Sequence, residues 1–347
     1  MSAPDWKGLF EWSIKNQDTN KPSDAHQPRQ VSEEDRKWFQ EAMEAHTEDI
    51  YKRLRGIKGA LESKADVPED VDEKLRLLDD LTEIVESIDY ARDLTHIGGL
   101  PTLLSLLESN YAPVRASAAE VVATCVQNNP PVQQFFLDGG ALPKLLKLAG
   151  DADPTCRRKA LLALSCLTRH SDPAMSAFRD QDGLQLLLRT ATDASDPRQQ
   201  RKAFQLLREL VRQCPQDIRE AVKQGLFRTL VGAVRSDLAD VREAALALLA
   251  VLVQHPGVVT AAKQDPELKQ ALEGAQQRLQ ALDVEDLDAE REQLALAEHI
   301  LEKLTSSEKQ SQEATGAAAE SGAAAAPEMQ QTALAAEQKP VALLGPP

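Results

Sequence analysis

LPTLLSLL (Leu100 to Leu107), ALPKLLKLA (Ala141 to Ala149), LQLLLRTA (Leu184 to Ala191) and LFRTLVGAV (Leu226 to Val234) are four versions of one short apolar run. A glycine stands at or just before the start of each: Gly99, Gly140, Gly183 and Gly225, at spacings of 41, 43 and 42 residues. After each run comes a polar turn, then a second apolar segment opening on Val114-Arg115, Cys156-Arg157, Gln199-Gln200 and Val241-Arg242. Three residues past the Arg or Gln an alanine recurs: Ala118, Ala160, Ala203 and Ala245. The long segments are expected to stop at Pro130, Pro173, Pro215 and Pro256. A period near 42 with two or three helices per unit predicts an all-α, right-handed, armadillo-like solenoid of about four repeats over residues 97–266. Such units cannot bury their apolar faces alone, so they stack and expose a concave binding surface.

Composition agrees with that reading. Aromatic residues are only 4% while Leu and Ala abound, which favours helices over sheets. The formal charge is −15, yet residues 96–266 hold 20 Lys and Arg against 17 Asp and Glu. The acidity therefore lies in the flanks, which argues against nucleic acid as a partner. No apolar run reaches the roughly 18 residues that span a bilayer. The opening MSAPDWKGLF has neither the basic nor the apolar region of a signal peptide. Cys125, Cys156, Cys166 and Cys214 show no CxxC pairing, which predicts reduced, buried thiols and a cytoplasmic location.

The flanks divide by pattern. Residues 1–30 form an N-terminal segment in which Trp6, Leu9, Phe10 and Ile14 share a helical face, with Trp12 off it. Either a frayed terminal helix or a partner-binding segment fits this cluster. Pro22 and Pro28 mark a flexible linker behind it. Residues 31–96 are expected to be a helical cap, opening with Ser32 as N-cap. Its first helix should bury Trp38, Phe39, Met43 and Ile50, with Gly56, Gly59 and Pro68 breaking the region. Its second, from about Glu69 to Asp93, carries Leu75, Leu78, Leu81, Val85 and Ile88 at three- and four-residue steps. Pro101 and Pro143 suit a first helical turn, where a missing N–H costs nothing. Residues 267–304 read as a C-terminal helical cap outside the repeat register, with Leu287, Leu294, Ala297, Ile300 and Leu301 as its stripe. The Ala-rich tail over 305–347 is expected to be disordered, since it lacks the apolar periodicity needed to offset ordering entropy.

No pattern of an enzyme is present. GxGxxG, GxxxxGK[ST], HExxH and GxSxG are missing, and the six histidines are scattered. The sequence thus implies no cofactor and no metal, and a protein that binds rather than catalyses. In such stacks the third helix of each unit lines the concavity. Thr124, Asn128, Ser165, Arg169, Arg208, Arg212 and Gln254 are the candidate contacts, with the arginines making part of the groove basic. Arg115, Arg157 and Arg242 are instead expected to brace the repeat, the third unit carrying Gln200 in their place.

Several blocks carry a resemblance. WKGLFEWS (Trp6 to Ser13), SEEDRKWFQEAM (Ser32 to Met43) and VESIDYARDLTHIGGL (Val85 to Leu100) lead it, and VQNNP, SAFR, QRKA and VREAAL follow within the repeats. Over roughly residues 1–300 the chain resembles the Fes-type heat-shock-protein-70-binding proteins, most closely the plant-like members. The resemblance implies a nucleotide-exchange factor, and the chain is expected to be a monomer. Its concave face clamps one lobe of the chaperone's ATPase domain so that ADP leaves, and the match to the family's repeat pattern makes Gln127, Asn128 and Arg169 the first choices for contacts. It also implies that Trp6, Leu9, Phe10 and Trp12 belong to a segment that helps release clients from the chaperone's peptide site. An armadillo adaptor for extended peptides is the alternative. Such adaptors use a concave ladder of Trp and Asn, whereas Trp6, Trp12 and Trp38 all precede the repeats here.

Overall fold

The computed structural model describes residues 33–283 and 290–305. Within them every regular element is helical. A long helix α1 (Glu33–Ser63) leads through a short 3-10 turn (Pro68–Asp70) into α2 (Val71–Val85). Triplets of helices follow. They are α3 (Ile88–His96), α4 (Gly99–Leu106) and α5 (Ala112–Val126); then α6 (Pro130–Asp138), α7 (Ala141–Leu148) and α8 (Pro154–Thr168). The third and fourth are α9 (Asp172–Asp180), α10 (Gly183–Thr192) and α11 (Pro197–Gln213), then α12 (Asp217–Lys223), α13 (Leu226–Val234) and α14 (Ala239–Leu252). Finally come α15 (Pro256–Lys263), α16 (Pro266–Gln280) and α17, residues 290–305.

Each triplet has the same internal order: a short helix, a second that packs against it, and a long third helix. Consecutive third helices lie side by side, α5 on α8, α8 on α11 and α11 on α14, and α2 packs on α5 in the same way. The recurrent alanines Ala118, Ala160, Ala203 and Ala245 sit in these seams with no exposed surface. A methyl group there lets two helix backbones approach closely, while leucines on either side fill the layer. The architecture is the expected armadillo-like stack.

Several local expectations give way. The helix expected over Glu69–Asp93 is two helices, because the chain breaks at Ser87, which is extended (φ −74, ψ 124). Neither Pro nor Gly marks that break. It shows only as a change of phase: Val85 is buried, whereas Ile88 is 52% exposed. The first triplet therefore begins at Ile88, inside the expected cap. Gly56 and Gly59 do not interrupt α1, since a helix tolerates glycine when its neighbours are packed. Phe39 and Met43, expected inside, are each 42% exposed, and the buried stripe of α1 is Ile50, Leu54, Ile57 and Leu61. The recurrent prolines do not end the long helices, which stop earlier, at Val126, Thr168, Gln213 and Leu252. Pro130, Pro173 and Pro256 lie in the first turn of the next short helix, and Pro215 just ahead of α12. Ser32, the residues 16–30 linker, Leu287 and the tail beyond 305 lie outside the described residues.

The phase marker also differs. The residue in the left-handed region before each second helix is Gly98, Gly140, Asp182 and Gly225, 42, 42 and 43 residues apart. Asp182, at φ +61, substitutes for glycine in the third unit, since Asp tolerates this conformation better than most residues. Gly99 and Gly183 serve close approach instead: a Cβ on them would come within 2.4 Å of Leu94 and 2.5 Å of Phe178.

The bracing expected of the recurrent arginines is present and uniform. Each is the fourth residue of a third helix and donates to the carbonyl six residues back: Arg115 to Ser109, Arg157 to Asp151 and Arg242 to Ser236, at 2.9, 3.0 and 3.1 Å. Gln200 holds the same helical position and reaches Ala191 O at 2.8 Å. Lys74, also fourth in its helix (α2), is buried against Asp66 at 3.2 Å. The three arginines then tie to the next unit. Arg115 is bidentate to Asp151, Arg157 lies 3.4 Å from Gln199, and Arg242 contacts both Glu290 and Gln293. The last of these docks α17 as the third helix of a fifth triplet. The segment expected to lie outside the register continues it.

Candidate partner-binding face

The third helices α5, α8, α11, α14 and α17 form one continuous face, and the sequence candidates lie along it. Gln127 and Asn128 follow α5, Arg169 follows α8, Arg212 is in the last turn of α11, and Gln254 follows α14. They make a row at the C-terminal ends of the third helices. Asn128 is exposed at φ +52, a left-handed position next to the buried Asn129, whose side-chain amide donates to Ile88 O at 3.0 Å. Arg169 is exposed, and its backbone carbonyl is held by α6. The buried Gln133 of α6 donates to both Cys166 O (2.7 Å) and Arg169 O (3.0 Å). Thr124 and Ser165 are half-buried, and the Thr124 hydroxyl is turned back onto Glu120 O at 3.1 Å.

Only part of this set converges. Arg208, Arg212 and Gln254 share a hollow of about 550 Å³ with Ala250, Val251 and Leu296. Glu209 lies between the two arginines, 3.5 Å from Arg208 and 3.2 Å from Arg212. Gln254 is 3.3 Å from the His299 ring of α17. Thr124, Gln127, Asn128, Ser165 and Arg169 do not line this hollow; they lie further along the row.

A larger hollow, about 1030 Å³, lies at the other ends of the third helices, between α8, α11 and α14. Arg158, Arg198, Arg201 and Lys202 line it, with Asp196 and Asp240. Arg158 pairs with Asp196 at 3.0 Å, and Arg201 pairs with Asp240. Asp196 also caps α11, accepting from Gln199 N at 3.1 Å. Burial would raise its carboxyl pKa, but the Gln199 hydrogen bonds and Arg158 outweigh that and hold it low. The reading of the sequence stopped at Arg208 and Arg212 and missed these residues. The signal was available: Arg198, Arg201, Gln205, Arg208 and Arg212 step along α11 by three, four, three and four residues, a single polar face.

The thiols are chemically quiet. Burial pushes Cys125 far up and Cys156 to about 11, and it raises Cys166 and Cys214 as well. Thiolate is the nucleophile, so none of the four is poised to react. Among the described residues no three of His, Cys, Asp and Glu lie close enough to hold a metal ion, and no helix is long and apolar enough to cross a membrane. Trp6, Leu9, Phe10 and Trp12 lie outside the described residues.

Comparison with known proteins places this face in context. Residues 90–225 match the SIL1/FES1/HPBP1 C-terminal domain, and residues 6–94 match the nucleotide exchange factor Fes1 domain. The Hsp70-binding protein 1 of Mus musculus is 30% identical over 148 residues, 39% of this chain and 40% of that protein. The Hsp70 nucleotide exchange factor FES1 of Coccidioides immitis is 34% identical over 130 residues, 38% of this chain and 61% of that protein. The matched part thus spans about two fifths of the mouse relative's length. Among solved structures, a designed armadillo repeat protein superposes with a TM-score of 0.59 at 20% identity, covering 73% of this chain and all of that one. A computationally designed armadillo protein for modular peptide recognition gives 0.56 at 21%, covering 72% of this chain and 99% of its own. At that identity the likeness establishes the fold alone.

Proposed function

The chain belongs to the SIL1/FES1/HPBP1 family, and from that premise we propose that it is a nucleotide-exchange factor for an Hsp70 chaperone. It grips the chaperone's ATPase domain with the third-helix face and promotes ADP release. The observation that carries this reading is the coincidence of the family match with the cationic face. Residues 90–225 span the helices that present Arg158, Arg169, Arg198, Arg201, Lys202, Arg208 and Arg212.

The mechanism needs binding energy and no covalent step. A rigid stack with a preformed face prefers one arrangement of the two ATPase lobes, and its differential affinity shifts the partner toward that arrangement. If that arrangement is the open one, the nucleotide's contacts with one lobe are lost and ADP dissociates. The repeats suit the task because each brace from Arg115, Arg157 and Arg242 ties one unit to the next, so the face resists deformation. Segment 1–30 extends the proposal. Trp6, Leu9, Phe10 and Trp12, tethered to the clamp, have a high effective concentration at the chaperone's peptide site and help clients leave. The neutral, reduced thiols support a cytoplasmic setting.

Release of a fluorescent ADP analogue from a purified Hsp70, with and without this protein, tests the proposal. Acceleration by the wild type, and its loss in Arg169→Glu with Arg212→Glu at unchanged helicity, is the expected outcome. An unchanged ADP off-rate at saturating protein refutes it. Deleting residues 1–15 should leave ADP release intact and slow client-peptide release.

A further inference from the structure

The larger hollow holds more positive charge than it neutralises. Arg157, Arg158, Arg198, Arg201 and Lys202 face Asp196 and Asp240 across it. Three of those cations are engaged: Arg158 with Asp196, Arg201 with Asp240, and Arg157 with the carbonyls of Asp151 and Ala152. Arg198 and Lys202 make no hydrogen bond or ion pair among the described residues. They differ in their access to water. Arg198 is exposed and can keep its hydration, whereas Lys202 is half-buried.

Lys202 is therefore the unusual group. A half-buried ammonium ordinarily has a counter-ion, because desolvation disfavours the charge. Here the charged neighbours felt by Lys202 are Arg201 and Arg169, both of its own sign, beside the Cys166 thiol. Burial, reinforced by those two guanidinium groups, holds its pKa below the usual lysine range. Unlike a lysine that keeps its head in bulk water, Lys202 is partly withdrawn from solvent. It lines a hollow whose other free cation, Arg198, lies one helical turn away on α11. In the free protein this arrangement is unfavourable, and a pair of carboxylates would relieve it.

We infer that the hollow between α8, α11 and α14 is a carboxylate-binding cleft with Lys202 as its anchoring residue. The partner surface it takes presents two acidic side chains about a helical turn apart, one for Lys202 and one for Arg198. The inference rests on the third-helix face being the partner-binding face, and it names the chemistry that sets the partner's register there. Charge complementarity at such a cleft steers the encounter, while the partly desolvated ammonium governs how long the complex lasts.

The full-length chain tests it with Lys202→Met, Lys202→Arg and, as a control on exposed Arg189 outside the hollow, Arg189→Met. Two ligands are titrated against each protein: the isolated Hsp70 ATPase domain and a blocked oligoglutamate peptide. Lys202→Met is expected to weaken the ATPase domain by about thirtyfold or more, and to abolish oligoglutamate binding. Its melting temperature should equal or exceed that of the wild type, because it removes an uncompensated charge and keeps the stem. Lys202→Arg should stay within about threefold of wild type, as should Arg189→Met. A residue that served only the fold would lower the melting temperature and affinity together, and that result overturns the inference. So does a wild type that fails to bind oligoglutamate, or a Lys202→Met protein that holds the ATPase domain with wild-type affinity. A wild type that binds oligoglutamate but not the ATPase domain leaves the cleft standing and removes the chaperone reading.

Discussion

Asp66→Asn probes the joint between the α1–α2 helix pair and the first repeat triplet. Asp66 lies in the turn after α1 and spends both carboxylate oxygens on neighbours. Oδ1 accepts from the Ser109 hydroxyl at 2.6 Å and from Lys74 Nζ at 3.2 Å. Oδ2 accepts from the Asn110 backbone N–H at 2.7 Å and its side-chain amide at 2.8 Å. Burial by itself raises this pKa, but the Ser109, Asn110 and Lys74 donors outweigh it and hold the carboxyl at about 2, below its ordinary 3.8. At roughly 1.4 kcal/mol per unit the difference is worth about 2 kcal/mol, and the 32% exposure of the side chain reduces it to about 1–2 kcal/mol. The folded pKa is lower than the unfolded one. The contribution is therefore complete above about pH 4 and disappears as pH falls from about 4 to about 2. Asn keeps one acceptor and loses the charge, so Asp66→Asn should cost about 1–2 kcal/mol at pH 7 and progressively less below about pH 4. Urea denaturation followed by circular dichroism at a series of pH values measures this. Hydrogen exchange of α1 and α2 reports the local opening that a repeat array permits. A penalty that stays constant from neutral pH down to about pH 3 would refute the reasoning, since an uncharged packing defect has no pH dependence.

Two further outcomes follow from the same contacts. Arg242→Ala should cost about 2–3 kcal/mol and speed amide exchange in residues 290–305, because it strands Glu290 and the carbonyls of Ser236 and Asp237. Arg157→Ala, which faces the neutral Gln199, should cost only about 1 kcal/mol; equal effects in thermal melts would contradict this account. Gly183→Ala and Gly225→Ala separate crowding from backbone conformation. At Gly183 a Cβ would sit 2.5 Å from Phe178 atoms, for about 2–3 kcal/mol of destabilisation. At Gly225, where space is open but φ is +89, about 1 kcal/mol is expected, and chemical denaturation should resolve the two.

The sequence by itself determined the repeat, because period and burial are both written in local order. Apolar runs recurring near every 42 residues, the alanine three residues after Arg or Gln, and the shortage of aromatics leave few folds other than a helical stack. It also indicated which side of each third helix would meet solvent, since a 3.6-residue period assigns faces without knowing the neighbours. What it could not determine were features that depend on pairs of distant residues. The break at Ser87 has no Gly or Pro to announce it and exists because α3 must turn to pack as the first helix of a triplet. The fifth triplet was hidden because α17 joins the register through Arg242 meeting Glu290 and Gln293, 48 and 51 residues away, rather than through the usual spacing. Gly99 and Gly183 looked like the phase markers, yet the left-handed residue lies one position earlier, and only the fold distinguishes a glycine kept for its φ from one kept for its missing Cβ. The isolation of Lys202 belongs to the same class. Its charge is plain in the sequence, but the absence of a nearby counter-ion comes from the stacking of α8, α11 and α14, which sends Asp196 to Arg158 and Asp240 to Arg201.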